Sequence, residues 1–237
     1  MPNERLIDLD KSIIPSCDVS TLEELEALVK ATCNVKGVGA YKIGLELVIP
    51  YGTKQVLSVI RKHTDLPVIY DHQKAGTDVP FVGKKFVQAC RDVDAIIIFP
   101  QAGPETEKAF IQAAMDEGMK IIVGGEMTHP AYLESDGGYL KDDAPERIYK
   151  LAAELGVTDF VVPGNKPDKI EKYRKMLESM GVEPTFYSPG LVAQGGKITD
   201  SAKAAGKRWH AIVGRAIYQA EDMKKAAEEL TKELASE

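Results

Sequence analysis

Short apolar runs alternate with longer amphipathic stretches from one end of the chain to the other. The runs fall at residues 12–17, 39–43, 67–70, 95–99, 120–123, 159–162, 184–187 and 210–213. Several are continuous, such as Ala95-Ile96-Ile97-Ile98-Phe99. Continuous rather than alternating apolarity predicts strands buried on both faces, as in a parallel sheet covered by helices. The stretches between them read with period 3.6. Leu22, Leu25, Leu28 and Val29 form one stripe behind a capping box at Ser20-Thr21-Leu22-Glu23. Pro104 and Pro145, each followed by glutamate, mark helix starts, and Gly118, Gly156 and Gly181 fall where a helix needs a left-handed cap.

Eight such strand–helix units, with no Ser/Gly-rich linker and no break in composition, predict a single domain over residues 1–237. The expected architecture is a closed (β/α)8 TIM barrel, with an open doubly wound sheet as the alternative. No G-x-G-x-x-G follows an early strand, so nothing supports a dinucleotide fold.

Composition narrows the function. The 237 residues are 44% hydrophobic and 28% charged, enough apolar material for a substantial core and too much for disorder. Thirty basic against 36 acidic residues give a net charge of −6, which removes the electrostatic case for a nucleic-acid polymer or an anionic membrane as partner. A small anion can still find a local basic pocket. Cys17, Cys33 and Cys90 lie far apart and show no C-x-x-C, so neither a disulfide framework nor a zinc site is expected. The N-terminus lacks the apolar core of a signal peptide and no stretch approaches a membrane span; the expectation is a soluble, cytoplasmic protein.

In a barrel, chemistry sits on the loops at the carboxyl ends of the strands. Those ends carry Asp18, Lys42, Asp71 through Asp78, Glu126-Met127-Thr128-His129-Pro130, Asn165, residues 188–196 and Gly214-Arg215. Lys42, Asp71, Lys74 and Asp78 would bring alternating charges within reach of one another, an arrangement that shifts pKa values, although a structural ion-pair network has the same composition. The glycine-rich segment 188–196, with Ser188, Pro189, Gly190, Gln194 and Gly195, occupies the seventh loop, and Gly214-Arg215 the eighth, where barrels bind phosphate.

These residues resemble the orotidine 5′-phosphate decarboxylase family over nearly the whole chain, from Asp18 to Tyr218. The matching pieces are Tyr41-Lys42-Ile43-Gly44, the Asp71, Lys74 and Asp78 cluster, the 126–130 segment, the 188–196 segment and Ile212 through Tyr218. The resemblance implies decarboxylation of orotidine 5′-phosphate to uridine 5′-phosphate in pyrimidine biosynthesis, with no metal and no cofactor. It further implies catalytic roles for Lys42, Asp71, Lys74 and Asp78, with Lys74 as proton donor and Asp78 supplied across a homodimer interface. Asp18 and Lys42 would hold the ribose, Thr128 the pyrimidine edge, and Gln194, Gly214 and Arg215 the phosphate.

The chain departs from the family pattern in one respect that matters. The usual D-x-K-x-x-D reads here as Asp71-His72-Gln73-Lys74 and Lys74-Ala75-Gly76-Thr77-Asp78, one residue longer in each gap. Positions three apart on a strand face opposite sides, so a bulge or turn is expected at His72-Gln73. Thr128 replaces a serine and keeps its hydroxyl, and Val82 stands where a polar partner-subunit contact to the ribose would be expected. Two rival readings remain: a magnesium-dependent sugar-phosphate lyase resembling 3-keto-gulonate 6-phosphate decarboxylase, and a catalytically silent nucleotide-binding barrel. The former family carries a glutamate where this chain has Lys42, and an ammonium there would repel a divalent cation. Outside these segments, residues 126–143 form a long loop that is either part of a lid or a solvated excursion. Residues 166–175 read as a solvated helix face.

Overall fold

A computed structural model of the chain describes residues 5–72, 75–192 and 195–235. In chain order the elements are β1 (Lys11–Cys17), α1 (Leu22–Thr32), β2 (Tyr41–Gly44), α2 (Leu45–Tyr51), α3 (Thr53–Ile60), β3 (Val68–Asp71), α4 (Val82–Ala89), β4 (Ala95–Ile98) and α5 (Pro104–Asp116). They continue with β5 (Lys120–Gly124), α6 (Ala144–Glu154), β6 (Asp159–Val161), α7 (Pro167–Ser179), β7 (Thr185–Ser188), α8 (Ile198–Ala205), β8 (Arg208–Val213), α9 (Arg215–Tyr218) and α10 (Met223–Ala235). The strands pair in parallel and in sequence order, and β8 closes on β1 with Lys11 beside Trp209 and Pro15 beside Val213. The expected (β/α)8 barrel is the fold observed.

Alternate strand residues serve two cores, which is why the strands read as continuous apolar runs. Ile14, Ala40, Ile69, Ile97, Ile122, Val161, Tyr187 and Ile212 fill the barrel interior, whereas Ile13, Tyr41, Ile96, Phe160, Phe186 and Trp209 pack outward under the helices. The interior is filled to van der Waals contact. A Cβ added at Gly124 would stand 2.3 Å from Cζ of Phe99, so only glycine lets that ring occupy the barrel.

Local signals differ from expectation in small ways. The α1 capping box is Thr21 with Glu24, one residue later than read: the Thr21 hydroxyl accepts from the Glu24 amide at 3.2 Å and the Glu24 carboxylate accepts from the Thr21 amide at 3.1 Å. Helical geometry starts at Leu22, which makes Glu24 rather than Glu23 the third helical residue. The second unit holds two short helices, broken at Gly52 with φ +75° and ψ 153° after Pro50. Gly118, Gly156 and Gly181 have φ of +68°, +90° and +81°, the left-handed conformations expected of them.

The long 126–143 loop is neither free nor strand-like. It contains a short 3-10 turn at Glu134–Asp136, and the Ser135 hydroxyl donates to Asp142 at 2.6 Å. Tyr132 ties it to the barrel by donating to the Gly125 carbonyl at 3.1 Å. Among the described residues no helix is long and apolar enough to cross a membrane.

Candidate active site

The β-sheet register places the first charged residues. Ser16 stands level with Lys42, Lys42 with Ile69, and Gly44 with Asp71. Lys42 and Asp71 therefore face the barrel interior one step apart, and the lysine stem spans that step. The Lys42 ammonium lies 3.2 Å from Oδ1 of Asp18 and 3.2 Å from Oδ2 of Asp71. The Ser16 hydroxyl donates to the other Asp18 oxygen at 2.7 Å. Lys42 is only 8% exposed. Burial alone would lower its pKa, but the carboxylates of Asp71 and Asp18 outweigh it and hold the ammonium above its ordinary value. Two glycines flank this corner: a Cβ on Gly44 would make ordinary contact with Asp18 at 3.5 Å, and one on Gly214 at 3.4 Å.

The ion triad forms one wall of a cleft of about 240 Å³ at the carboxyl mouth of the barrel. Ile97, Phe99, Met127, Thr128, Pro189, Gly190, Gly214 and Arg215 line the rest of it, with Gly214 next to Asp18. Of the expected site residues, Asp18, Lys42, Asp71, Thr128, Pro189, Gly190, Gly214 and Arg215 are thus brought together. Lys74 and Gln194, and with them the bulge expected at His72-Gln73, lie outside the described residues. A larger cavity of about 430 Å³ opens at the opposite mouth, beside Lys120, Asp159 and Arg208. These begin β5, β6 and β8, the end of a barrel associated with stability rather than chemistry.

Asp78, expected to act across a homodimer interface, lies outside the cleft of its own chain: it is exposed, its carboxylate accepts from the Val79 amide at 2.7 Å, and its carbonyl accepts from the Thr106 hydroxyl at 2.8 Å. Two expectations need correction. Ser188 points away from the cleft and accepts from the Trp209 indole at 2.8 Å, because Tyr187 is the inward residue of β7 and neighbours alternate. Gly195 is exposed, in a turn at φ +87° whose amide donates to Val192, and it does not line the cleft.

The sequence reading also passed over Ser16, Ile97, Phe99, Met127 and Tyr218, all of which line the cleft. The period-2 rule finds two of them: Ser16 lies two residues before Asp18, and Phe99 two after Ile97. Lys166 is not part of a solvated face, since its ammonium pairs with Glu126 at 2.9 Å, whereas Arg174 and Lys175 pair with Glu178 and Glu171 along α7 and Lys172 reaches Glu146 of α6. His72 packs against Tyr70 and Phe86 rather than into the cleft, and Tyr70 shares a hydrogen bond with its Nδ1. Cys17 is buried and unpaired, packed as an apolar group.

A charge-alternating pocket at the carboxyl mouth of a closed barrel, with an arginine in its lining, defines the class: a (β/α)8 enzyme acting on a small anionic molecule. A family model described as orotidine 5′-phosphate decarboxylase / HUMPS family matches residues 11–230, and the chain belongs to that family. The orotidine 5′-phosphate decarboxylase of Methanosarcina mazei is 34% identical over 228 residues, covering 94% of this chain and 96% of its own. That of Thermococcus kodakarensis is 30% identical over 229 residues, covering 95% and 97%. A crystal structure of the Methanocaldococcus jannaschii orotidine 5′-monophosphate decarboxylase, complexed with inhibitor BMP, superposes with a TM-score of 0.82 at 27% identity, covering 94% of this chain and 98% of that one.

Proposed function

We propose that the chain is a carboxy-lyase that converts orotidine 5′-phosphate to uridine 5′-phosphate in pyrimidine biosynthesis, with its own residues in place of a metal or cofactor. The observation that carries this reading is the Lys42 ammonium seated between Asp18 and Asp71. A magnesium-dependent lyase needs oxygen ligands facing a vacant centre; here a cation already satisfies both carboxylates, and a second cation beside it would be repelled. Among the described residues, no group of three or more His, Cys, Asp or Glu side chains is arranged to hold a metal ion.

In the proposed reaction the bond between carbon six of the pyrimidine and its carboxylate breaks, and carbon dioxide leaves without the electron pair. The pair stays on carbon six, where the Lys74 ammonium stabilises it and then supplies the proton. Charge that appears only in the transition state is the charge worth stabilising, so fixed ions rather than ground-state contacts carry the rate. Asp71 would face the departing carboxylate, Asp18 and Lys42 the ribose, Thr128 the ring edge, and Gln194, Gly214 and Arg215 the phosphate. Phosphate binding away from the reacting carbon supplies energy for positioning the ring.

The same reading takes the active unit to be a homodimer. Asp78 is exposed outside its own cleft, and next to it Val79 and Phe81 are 49% and 70% exposed. Leu45 and Ile49, on α2 after the neighbouring strand, are 44% and 70% exposed. Apolar side chains exposed together at one mouth of a barrel suit a protein partner, and a second copy would bring Asp78 to the array it does not reach alone. The test is complementation. Lys74→Ala and Asp78→Asn should each abolish turnover of orotidine 5′-phosphate, and mixing the two should restore it, because a mixed dimer holds one intact site. Activity that stays absent on mixing while subunits exchange would place Asp78 in cis or outside the reaction; no turnover by the unaltered protein would sink the assignment.

A further inference from the structure

Met127 and Thr128 form a wall of the cleft, but β5 ends at Gly124, so the sheet no longer fixes them. Side chains from the next unit do so instead. The Lys166 ammonium donates to Oε1 of Glu126 at 2.9 Å and to the carbonyl of Met127 at 3.2 Å. Asn165 donates from Nδ2 to the carbonyl of Thr128 at 3.1 Å. The Tyr173 hydroxyl, from α7, donates to the second Glu126 oxygen, and the Tyr149 hydroxyl accepts from the Glu126 amide at 3.2 Å. The Glu126 side chain is 1% exposed. Neither Glu126, Asn165, Lys166 nor Tyr173 lines the cleft.

We infer that Glu126 and Lys166 are positioning residues, which set the Met127–Thr128 wall against the substrate ring without touching the substrate. A buried ion pair is no more stabilising than a well-packed apolar pair, so stability alone gives little reason for one here. What it adds is direction. The ammonium that neutralises Glu126 also holds a main-chain carbonyl of the wall, coupling the loops after β5 and β6 at the height where a ring would lie. A wall displaced by about 1 Å loses contact with the ring in substrate and product alike, so the cost falls first on binding. The inference rests on the nucleotide reading of the cleft.

The experiment compares the unaltered protein with Lys166→Arg, Lys166→Met and the double variant E126Q/K166M. The double variant removes both charges, so it escapes the cost of a buried unpaired carboxylate and keeps the protein folded. It should raise KM for orotidine 5′-phosphate and weaken uridine 5′-phosphate binding by about tenfold, with a smaller change in kcat. Lys166→Arg should recover most of this. Inhibition by ribose 5-phosphate, which lacks the ring, should be the same in all variants. Unchanged KM and product affinity in the folded double variant would make the pair a mere strut and overturn the inference. Equal weakening of ribose 5-phosphate would overturn it too, as a general distortion. Failure of the unaltered protein to bind either nucleotide would instead remove the nucleotide reading, and the inference with it.

Discussion

Glu107 on α5 is a carboxyl group in the wrong medium. It is 2% exposed, and its Oε1 is buried without a hydrogen-bond partner among the described residues. Burial pushes its pKa from an ordinary 4.5 up to about 8. The unfolded chain releases this proton near pH 4.5 while the folded chain keeps it to about pH 8, so between those values the unfolded state binds fewer protons and stability falls as pH rises. At 1.36 kcal/mol per unit, the cost accumulated from 4.5 to pH 7 is about 3 kcal/mol. Glu107→Gln keeps the shape and remains neutral throughout. The variant should match the original at pH 4 and exceed it by about 3 kcal/mol at pH 7, a rise in Tm of roughly 6–12 °C for a chain of this size. Urea titrations at pH 4, 5.5 and 7 read the difference directly. A difference that does not grow with pH, or a variant less stable at pH 7, would refute the account of Glu107 as a desolvated acid.

Lys42→Met leaves Asp18 and Asp71 facing each other without their shared cation. The expected loss is about 3–5 kcal/mol of stability at neutral pH together with turnover, read by urea melts and by release of carbon dioxide; a variant as stable as the original would show that the triad contributes nothing net. His210 acts on pH in the opposite sense to Glu107. Burial lowers its pKa to about 3, so the unfolded state takes a proton near 6.5 that the folded state refuses, and stability is full above pH 6.5 and falls towards pH 3. The two slopes oppose each other between pH 4.5 and 6.5. Acid destabilisation should therefore steepen in Glu107→Gln and flatten when His210→Gln is added, and an unchanged slope in that double variant would exclude His210 as the titrating group.

The fold was legible because the residues that make it act locally. Each apolar run became a strand within two residues at either end, the starts of β2 and β8 being the two that differ by two. β8 opens on Arg208 and carries His210, so polar residues interrupt its apolar pattern at the start. The triad was legible for a related reason: Asp71 ends β3, Asp18 follows β1 and Lys42 lies two residues before the end of β2, and a closed parallel barrel gathers these ends at one mouth. The Glu126–Lys166 pair could not be read this way. Its partners lie 40 positions apart on separate loops, and only the approach of those loops turns a lysine in a mixed-charge helix into an anchor. Ser188 failed through one misjudged alternation, since Tyr187 takes the inward position on β7.

The distribution of charge around the cleft says more than the total of −6. Asp18, Lys42 and Asp71 together carry a formal charge of −1, which offers no attraction to an anionic substrate at the proposed reacting end. Among the described residues, attraction comes from Arg215, which stands in the cleft at the start of α9, next to Gly214. In the proposed function, a substrate with two anionic groups would place its phosphate at Arg215 after β8 and its carboxylate beside Asp71 after β3. Binding energy gained at the phosphate would then hold like charges together at the carboxylate, and loss of carbon dioxide would relieve that opposition. In the proposed function, Arg215 would contribute to catalysis without approaching the reacting carbon, because the energy that places the carboxylate against Asp71 would be gained at the phosphate.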